Sequence, residues 1–526
     1  MDILIQNGLI VDGTGRKPYA ADVLIRRDRI ADIGRFEPAR ARRTLDARGL
    51  VVAPGFIDGH THSELTLLHN RQHPSAVYQG QSTIVTGQCG MGFAPLPPEQ
   101  WEDTIRMHAG VFGDRRHQWP RWDSFASLLA LLDGCAVNVG GNVSHNAVRQ
   151  MALGFSDAPL TGRALGVALA ALDTALAEGA LGLSVGLCYY PGAYADTEEL
   201  IELCRVVKAR GGVFCVHHRL PAAYSGVEPL EEIKRVVRET GVRLNMLHYK
   251  TGGWADVESM LSPFDELLEA GADVRFEFYP YLVGAGFLLS LFPGWVQEGG
   301  YRAIVRRLRD PALRARLIAD MEARYEVFFP GGATCRVVFA KDPYDANIGK
   351  TFLEIARERG ETLAEMMIGL MLENDLILAF EGVEFQDEAL SAKLYDDMHR
   401  LFSHPLYTVG SDAIPEGPLN HPRSWGAFPR VIRHMLDRGM AIERILPKIT
   451  SEPAKLYRLK DRGVLAPGKF ADVCLFDPGA IRDAATFENP RARAQGVHAL
   501  LVNGIPALLD GTVTGMLPGR ALEANA

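Results

Sequence analysis

Short apolar–polar alternations open the chain: "ILIQNGLIVDG", "DVLIRRDRIADIG" and "TLDARGLVVAPG". Side chains alternate faces along a strand, and Asn-Gly or Asp-Gly pairs close tight turns between strands. The first fifty residues therefore read as a small antiparallel sheet. The last seventy return to the same style in "ADVCLFDP" and "VHALLVNGIPALLDG". Two β-rich ends of one kind predict a single small β-sandwich formed by both termini, residues 1–54 and 460–526.

The middle of the chain has another rhythm. Eight apolar runs end in polar residues: "VVAPGFIDGHTH", "STIVTGQCG", "CAVNVGGNVSH", "ALGLSVGL", "GGVFCVHHR", "VRLNMLHYK", "DVRFEFYPY" and "LYTVGSDA". Amphipathic helical patterns such as "TGRALGVALAALDTALAEGA" and "DTEELIELCRVVKARGG" lie between them. The second starts on Asp196 with acids in its first turn and stops at Gly211-Gly212, as capping asks. Strands alternating with helices predict an α/β fold, a (β/α)8 TIM barrel. The stretch from Tyr281 to Leu406 spans 125 residues, against roughly 30 for one βα unit. It predicts an inserted subdomain near the barrel mouth, residues 284–345, with barrel before it (55–283) and after it (346–459).

Composition narrows the function. A net charge of −8 on 526 residues argues against nucleic acid and anionic membrane as partners, since both favour basic surfaces. Seven cysteines, an odd number and widely spread, are no disulfide framework and fit a reducing compartment. The N-terminus has no basic n-region, and no apolar run reaches the roughly 18 residues of a membrane span. The expectation is a cytoplasmic protein.

The chemistry gathers at the strand ends. His60 and His62 in "GFIDGHTHSE" are one residue apart. On a strand they leave the chain on one face, with Cα atoms about 6.6 Å apart at about 3.3 Å rise per residue. Active sites of such barrels lie at the C-terminal strand ends. Those ends offer Cys89, His145, Tyr189, His217 or His218, His248, Lys250, Tyr281 and Asp412. A lone strand histidine or cysteine is more often a buried core residue than a ligand. So many metal-capable side chains at one end of consecutive strands point instead to a metal such as zinc, which takes N, S and O ligands.

The chain resembles the amidohydrolase superfamily and, within it, the D-aminoacylase (N-acyl-D-amino-acid deacylase) family. The likeness is carried by "APGFIDGHTH", "QSTIVTGQCG", "GLSVGLCYYPG", "VHHR", "LHYK", "FYPY", "GSDAIPEGPLNHPRSWGAFPR" and "GVLAPGKFADVCLFDP". The resemblance implies a tightly held Zn2+ on Cys89, His217 and His248, and a weaker second position on His60, His62 and Asp412. It selects His217 over His218. It implies hydrolysis of a small N-acyl-D-amino acid, with Asp412 as general base and then acid. Arg423 would grip the substrate carboxylate, helped by Lys250, Tyr189 and Tyr281, and the apolar "GAGFLLSLFPGW" of the insert would line the pocket. Departures are Ser63-Glu64 where the family has aspartates after H-x-H, "NVSH" for strand 3, and Glu277 where it tends to have aspartate. The fourth strand also lacks the carbamylated lysine used across much of the superfamily.

Other motifs compete. "GLSVG", residues 182–186, fits a serine-hydrolase elbow, but that motif needs a helix directly after it, and Pro191 and Gly192 follow. "QCG" could mark Cys89 as a nucleophile. "IGKT", residues 348–351, ends like a phosphate loop but has Tyr344 where the first glycine belongs. A hydantoinase-like hydrolase of cyclic amides is the alternative within the superfamily.

Overall fold

The computed structural model describes residues 2–38, 41–113, 119–221, 228–251, 256–324, 335–383 and 387–524. Five strands open it: β1 (Asp2–Ile10), β2 (Tyr19–Arg26), β3 (Arg29–Gly34), β4 (Arg43–Asp46) and β5 (Val51–Pro54). Seven parallel-paired strands follow: β6 (Phe56–Asp58), β7 (Gln81–Thr86), β8 (Asn138–Gly141), β9 (Val143–Ser144), β10 (Gly182–Gly186), β11 (Val213–His217) and β12 (Arg243–Met246). Next come β13 (Val274–Phe278), β14 (Ala285–Phe287), β15 (Cys335–Ala340), β16 (Leu378–Gly382) and β17 (Tyr407–Val409). The chain closes with β18 (Val473–Phe476), β19 (Val497–Val502), β20 (Ile505–Leu509) and β21 (Thr512–Val513).

The termini meet in one nine-stranded sheet, ordered β21-β20-β19-β18-β5-β1-β2-β3, with β4 on β1. Hydrogen bonding makes it continuous, and Ile3, Ile5, Val23, Ile25, Val473, Leu475 and Leu501 form its own apolar core. β18 runs antiparallel to β5, and Gly55 N–H bonds Asp472 O at 2.9 Å. That contact sets the terminal sheet beside the start of β6.

The central strands follow sequence order, as an α/β fold with helical crossovers requires. β6-β7-β8 form one parallel sheet and β9-β10-β11-β12-β13-β17 another. The two sheets do not close by a continuous ladder. β8 and β9 are one path interrupted at Asn142, and β17 reaches β6 through the bridge Thr61–Ala413. There Asp412 N–H bonds His60 O, and His62 N–H bonds Ala413 O, each at 2.9 Å. The crossover helix Thr197–Arg210 has the ends its sequence asks for. Asp196 accepts from Glu199 N–H at 2.8 Å, and Gly211 takes a φ of 71°.

β14, β16 and β15 form a separate antiparallel sheet between β13 and β17. Its central strand is Leu378–Gly382, so this layer runs past residue 345, where the sequence reading ends the insert. β16 pairs with β14 on one side and β15 on the other. Residues 325–334 of that segment lie outside the described residues. Among the described residues no helix is long and apolar enough to cross a membrane.

Candidate metal centre

The strand-end side chains converge. Cys89 Sγ lies 3.4 Å from His60 Nε2, 3.5 Å from His248 Nε2 and 3.8 Å from His217 Nδ1. Asp412 Oδ1 lies 3.3 Å from His60 Nε2 and 3.2 Å from His62 Nε2. Two groups result, His60–His62–Cys89 and Cys89–His217–His248, each with ligand atoms within 4.8 Å of one another. Cys89 belongs to both.

The backbone is bent to make this possible. Cys89, His248 and Asp412 adopt φ values of 54°, 37° and 51°, which non-glycine residues rarely take. Such turns cost on the order of 1–3 kcal/mol each and persist where the surroundings enforce them. The Cys89 turn packs so closely on β10 that a Cβ on Gly186 would lie 2.0 Å from Cys89 O. Ser184, the serine of "GLSVG", secures the same turn: its Oγ accepts from Gly90 N–H at 3.3 Å and donates to Gln88 Oε1 at 3.3 Å. No α-helix follows it until Thr197, so it is no nucleophile elbow. "IGKT" is also explained, since Thr351 caps the helix Phe352–Arg359 and Lys350 pairs with Glu358.

The electrostatics separate the roles. Burial alone would raise the pKa of Asp412, but Arg423, His60 and His62 outweigh it and hold the carboxyl well below its ordinary range. Burial, with His218 beside it, pushes His217 down to about 3, and burial with His217 beside it holds His248 well below the usual histidine range. Both imidazoles are neutral and keep a lone pair. Burial raises the Cys89 thiol, and His60 only partly offsets this. A thiol, imidazoles and a carboxylate thus face one another, with His60, His62, Cys89 and Asp412 buried and His217 and His248 half-buried. This N, S and O donor set fits zinc.

Arg423 is fully buried beside this group. Its Nη1 lies 2.9 Å from Asp412 Oδ2, and its N–H groups have no well-directed hydrogen-bond partner among the described residues. Its guanidinium sits 4.5 Å from the ring centre of Tyr279, and Lys250 Nζ sits 3.9 Å from the same centre. Lys250 donates to Tyr281 O. The Tyr189 ring stands 4.9 Å from His217 and 5.5 Å from Phe287 of β14, so the inserted sheet does reach this region.

Three strand-end residues sit elsewhere. Tyr281 turns its hydroxyl toward Pro422 O (3.4 Å) and Asp483 Oδ2 (3.5 Å), and its ring is buried against Arg430 of the helix Arg423–Asp437. Tyr279 takes the place beside Arg423. His145 is buried with Nε2 2.8 Å from Glu199 Oε1 and takes no part in the metal-capable groups. His218 Nδ1 faces Arg219 O at 2.7 Å, leaving His217 to face Cys89. Glu277, which contacts His60 Nδ1, and Tyr279 share a face in "FEFYPY"; an acid within an apolar strand was the visible signal for the first.

The chain belongs to the amidohydrolase family, whose model matches residues 43–507. Within that class it is 32% identical to the D-aminoacylase of Alcaligenes xylosoxydans xylosoxydans, over 100% of this chain and 98% of that one. It is also 32% identical to the N-acyl-D-aspartate deacylase of the same organism, over 99% and 95% of the two chains. The structure of N-acyl-D-glutamate deacylase from Bordetella bronchiseptica matches with a TM-score of 0.82 and 29% identity, covering 100% of both chains. That protein is complexed with zinc and a phosphonate that mimics the tetrahedral intermediate of its reaction.

Proposed function

We propose that this protein is a zinc-dependent N-acyl-D-amino-acid deacylase. It would release a D-amino acid and a carboxylic acid from a small-molecule substrate. The observation that carries the reading is the convergence of Cys89, His60, His62, His217, His248 and Asp412, with buried Arg423 on the far oxygen of Asp412. The full-length likeness to D-aminoacylase supports it.

In this reading β6 to β13 and β17 make a (β/α)8 barrel, and the ligands stand at its C-terminal strand ends. Residues 1–54 and 460–526 form the terminal β domain. Cys89, His217 and His248 hold the tighter zinc, and His60, His62 and Asp412 offer a second, weaker position. Zinc in such a site polarises the amide oxygen and lowers the pKa of water.

The chain's own groups do the rest. Asp412, ionised by its surroundings, takes the proton of the attacking water and delivers it to the leaving nitrogen. An amine leaves readily only once protonated. Arg423 offers unsatisfied N–H groups to the substrate carboxylate, a planar match for a bidentate acceptor. Tyr279 backs the guanidinium, and Lys250 braces the same ring. Tyr189 and Phe287 provide apolar walls. A fixed carboxylate clamp beside a fixed reacting centre leaves one direction for the side chain, which supports selection of one enantiomer. An odd and widely spread set of seven cysteines agrees with a cytoplasmic location.

The test is hydrolysis of matched N-acetyl-D- and N-acetyl-L-amino acids carrying methionine, leucine, phenylalanine, aspartate and glutamate side chains. It should use protein of known zinc content, with and without a chelator. Release of D-amino acids alone, lost with the metal, is expected. Turnover of cyclic amides but of no N-acetyl-amino acid would overturn the assignment.

A further inference from the structure

The two histidines of H-x-H are supported unequally. His60 and His62 are both buried, and both direct Nε2 toward Asp412. The second nitrogen of His62, Nδ1, is buried without a partner among the described residues. That of His60 meets the Glu277 carboxylate. Metal-binding histidines commonly donate their free N–H to a carboxylate, which fixes tautomer and ring orientation. Glu277 has this relationship to His60 alone.

The same carboxylate oxygen reaches further. Glu277 Oε1 also accepts the backbone N–H of His248 at 3.4 Å. His248 holds a left-handed φ of 37°, so its backbone needs an external tether. Glu277 therefore touches one residue from each metal-capable group. The chain makes room for it: a Cβ on Gly410 would lie 2.4 Å from Glu277 Oε2 and 2.6 Å from His60 Cβ.

We propose that Glu277 is a positioning residue for metal binding that ties the two ligand groups together, through the His60 imidazole on one side and the His248 backbone on the other. It rests on the metal-site reading above and is independent of the substrate. With a metal bound, the carboxylate would hold the proton on His60 Nδ1 and leave Nε2, which faces Cys89 and Asp412, as the ligating atom. With Glu277→Gln the shape is kept but the charge is lost, and the amide can present N–H to Nδ1. His60 is then no longer held in the ligating tautomer.

The experiment is Co2+ titration of chelator-stripped, full-length protein, followed by its visible absorption, for wild type, Glu277→Gln and Glu277→Asp. Glu199→Gln is the control: an equally buried acid on His145, outside the centre. Glu277→Gln is expected to bind Co2+ about 10–100-fold more weakly, the usual cost of losing a ligand's carboxylate partner. Its absorption bands should shift, while its melting temperature before Co2+ addition stays near that of wild type. Glu277→Asp, which restores the charge on a shorter arm, should fall between the two, and Glu199→Gln should bind as wild type does. Unchanged affinity and spectrum in Glu277→Gln would overturn the proposal. So would failure of both Glu277 variants to fold before Co2+ is added, which would make Glu277 a folding residue. If wild type itself bound no Co2+, the metal-site reading would fail instead.

Discussion

Arg423 and Asp412 form a buried ion pair, with Nη1 2.9 Å from Oδ2, and the other oxygen of Asp412 faces His60 and His62. One carboxylate thus links the group proposed to hold substrate to the group proposed to hold metal. A buried charge of this kind is costly unless compensated on both sides.

The pH profile should reveal that link. Burial raises the pKa of Asp412 and Arg423 lowers it, the histidines adding to the lowering. Removing the guanidinium in Arg423→Met removes a lowering contribution, so Asp412 protonates at higher pH. The acid limb of kcat should therefore move upward in Arg423→Met, alongside a rise in KM for N-acyl amino acids. An acid limb that stays in place would separate Asp412 from the general-base role.

Cys89→Ala should abolish tight zinc binding and lower kcat/KM by at least about 10³-fold, since the thiol is shared by both ligand groups. Zinc counted by mass spectrometry decides between ligand and nucleophile. A variant that keeps full zinc but loses all activity would favour the nucleophile.

Gly186→Ala tests the packing that aims Cys89. The new Cβ would lie 2.0 Å from Cys89 O and 2.8 Å from its carbonyl carbon. Both are backbone atoms and cannot swing aside. Overpacking of this kind costs about 1–3 kcal/mol, and here the Cys89 turn absorbs it. Zinc content and activity should fall further than the loss in urea midpoint alone implies. A variant with normal zinc would show that the turn can shift without moving the thiol.

Much of this site was legible in the chain because ligands sit where strand periodicity places them. His60 and His62 declare themselves by spacing, and Cys89 and His248 by ending apolar runs. Other parts depended on contacts that no local pattern encodes. Glu277 stands out as an acid in an apolar strand, yet its partner lies 217 residues away. Tyr279 and Tyr281 look equivalent in "FYPY", but the chain leaves β13 at Phe278, and the helix after Pro422 buries the second ring. β16 was hidden because "LAFEG" is too short to stand out between two helices. Its pairing with β14 and β15 gives it away.

Two buried histidines outside the ligand groups should contribute to acid stability. His73 and His108 are buried, and burial pushes each from 6.5 down to about 4. His108 also donates Nδ1–H to Thr104 O at 3.0 Å, which offsets the shift only in part. Because the folded pKa lies below the unfolded one, the unfolded chain binds more protons between about 4 and 6.5. Stability therefore falls as pH drops through that window, by roughly 1–2 kcal/mol per histidine between pH 7 and pH 5. His73→Asn retains a residue tolerant of the φ of 40° at that position but removes the titration. In chelated protein, where metal loss cannot contribute, urea midpoints for wild type and His73→Asn should converge as pH falls from 7 to 5. A constant gap between them would show that His73 charges without penalty in the folded state.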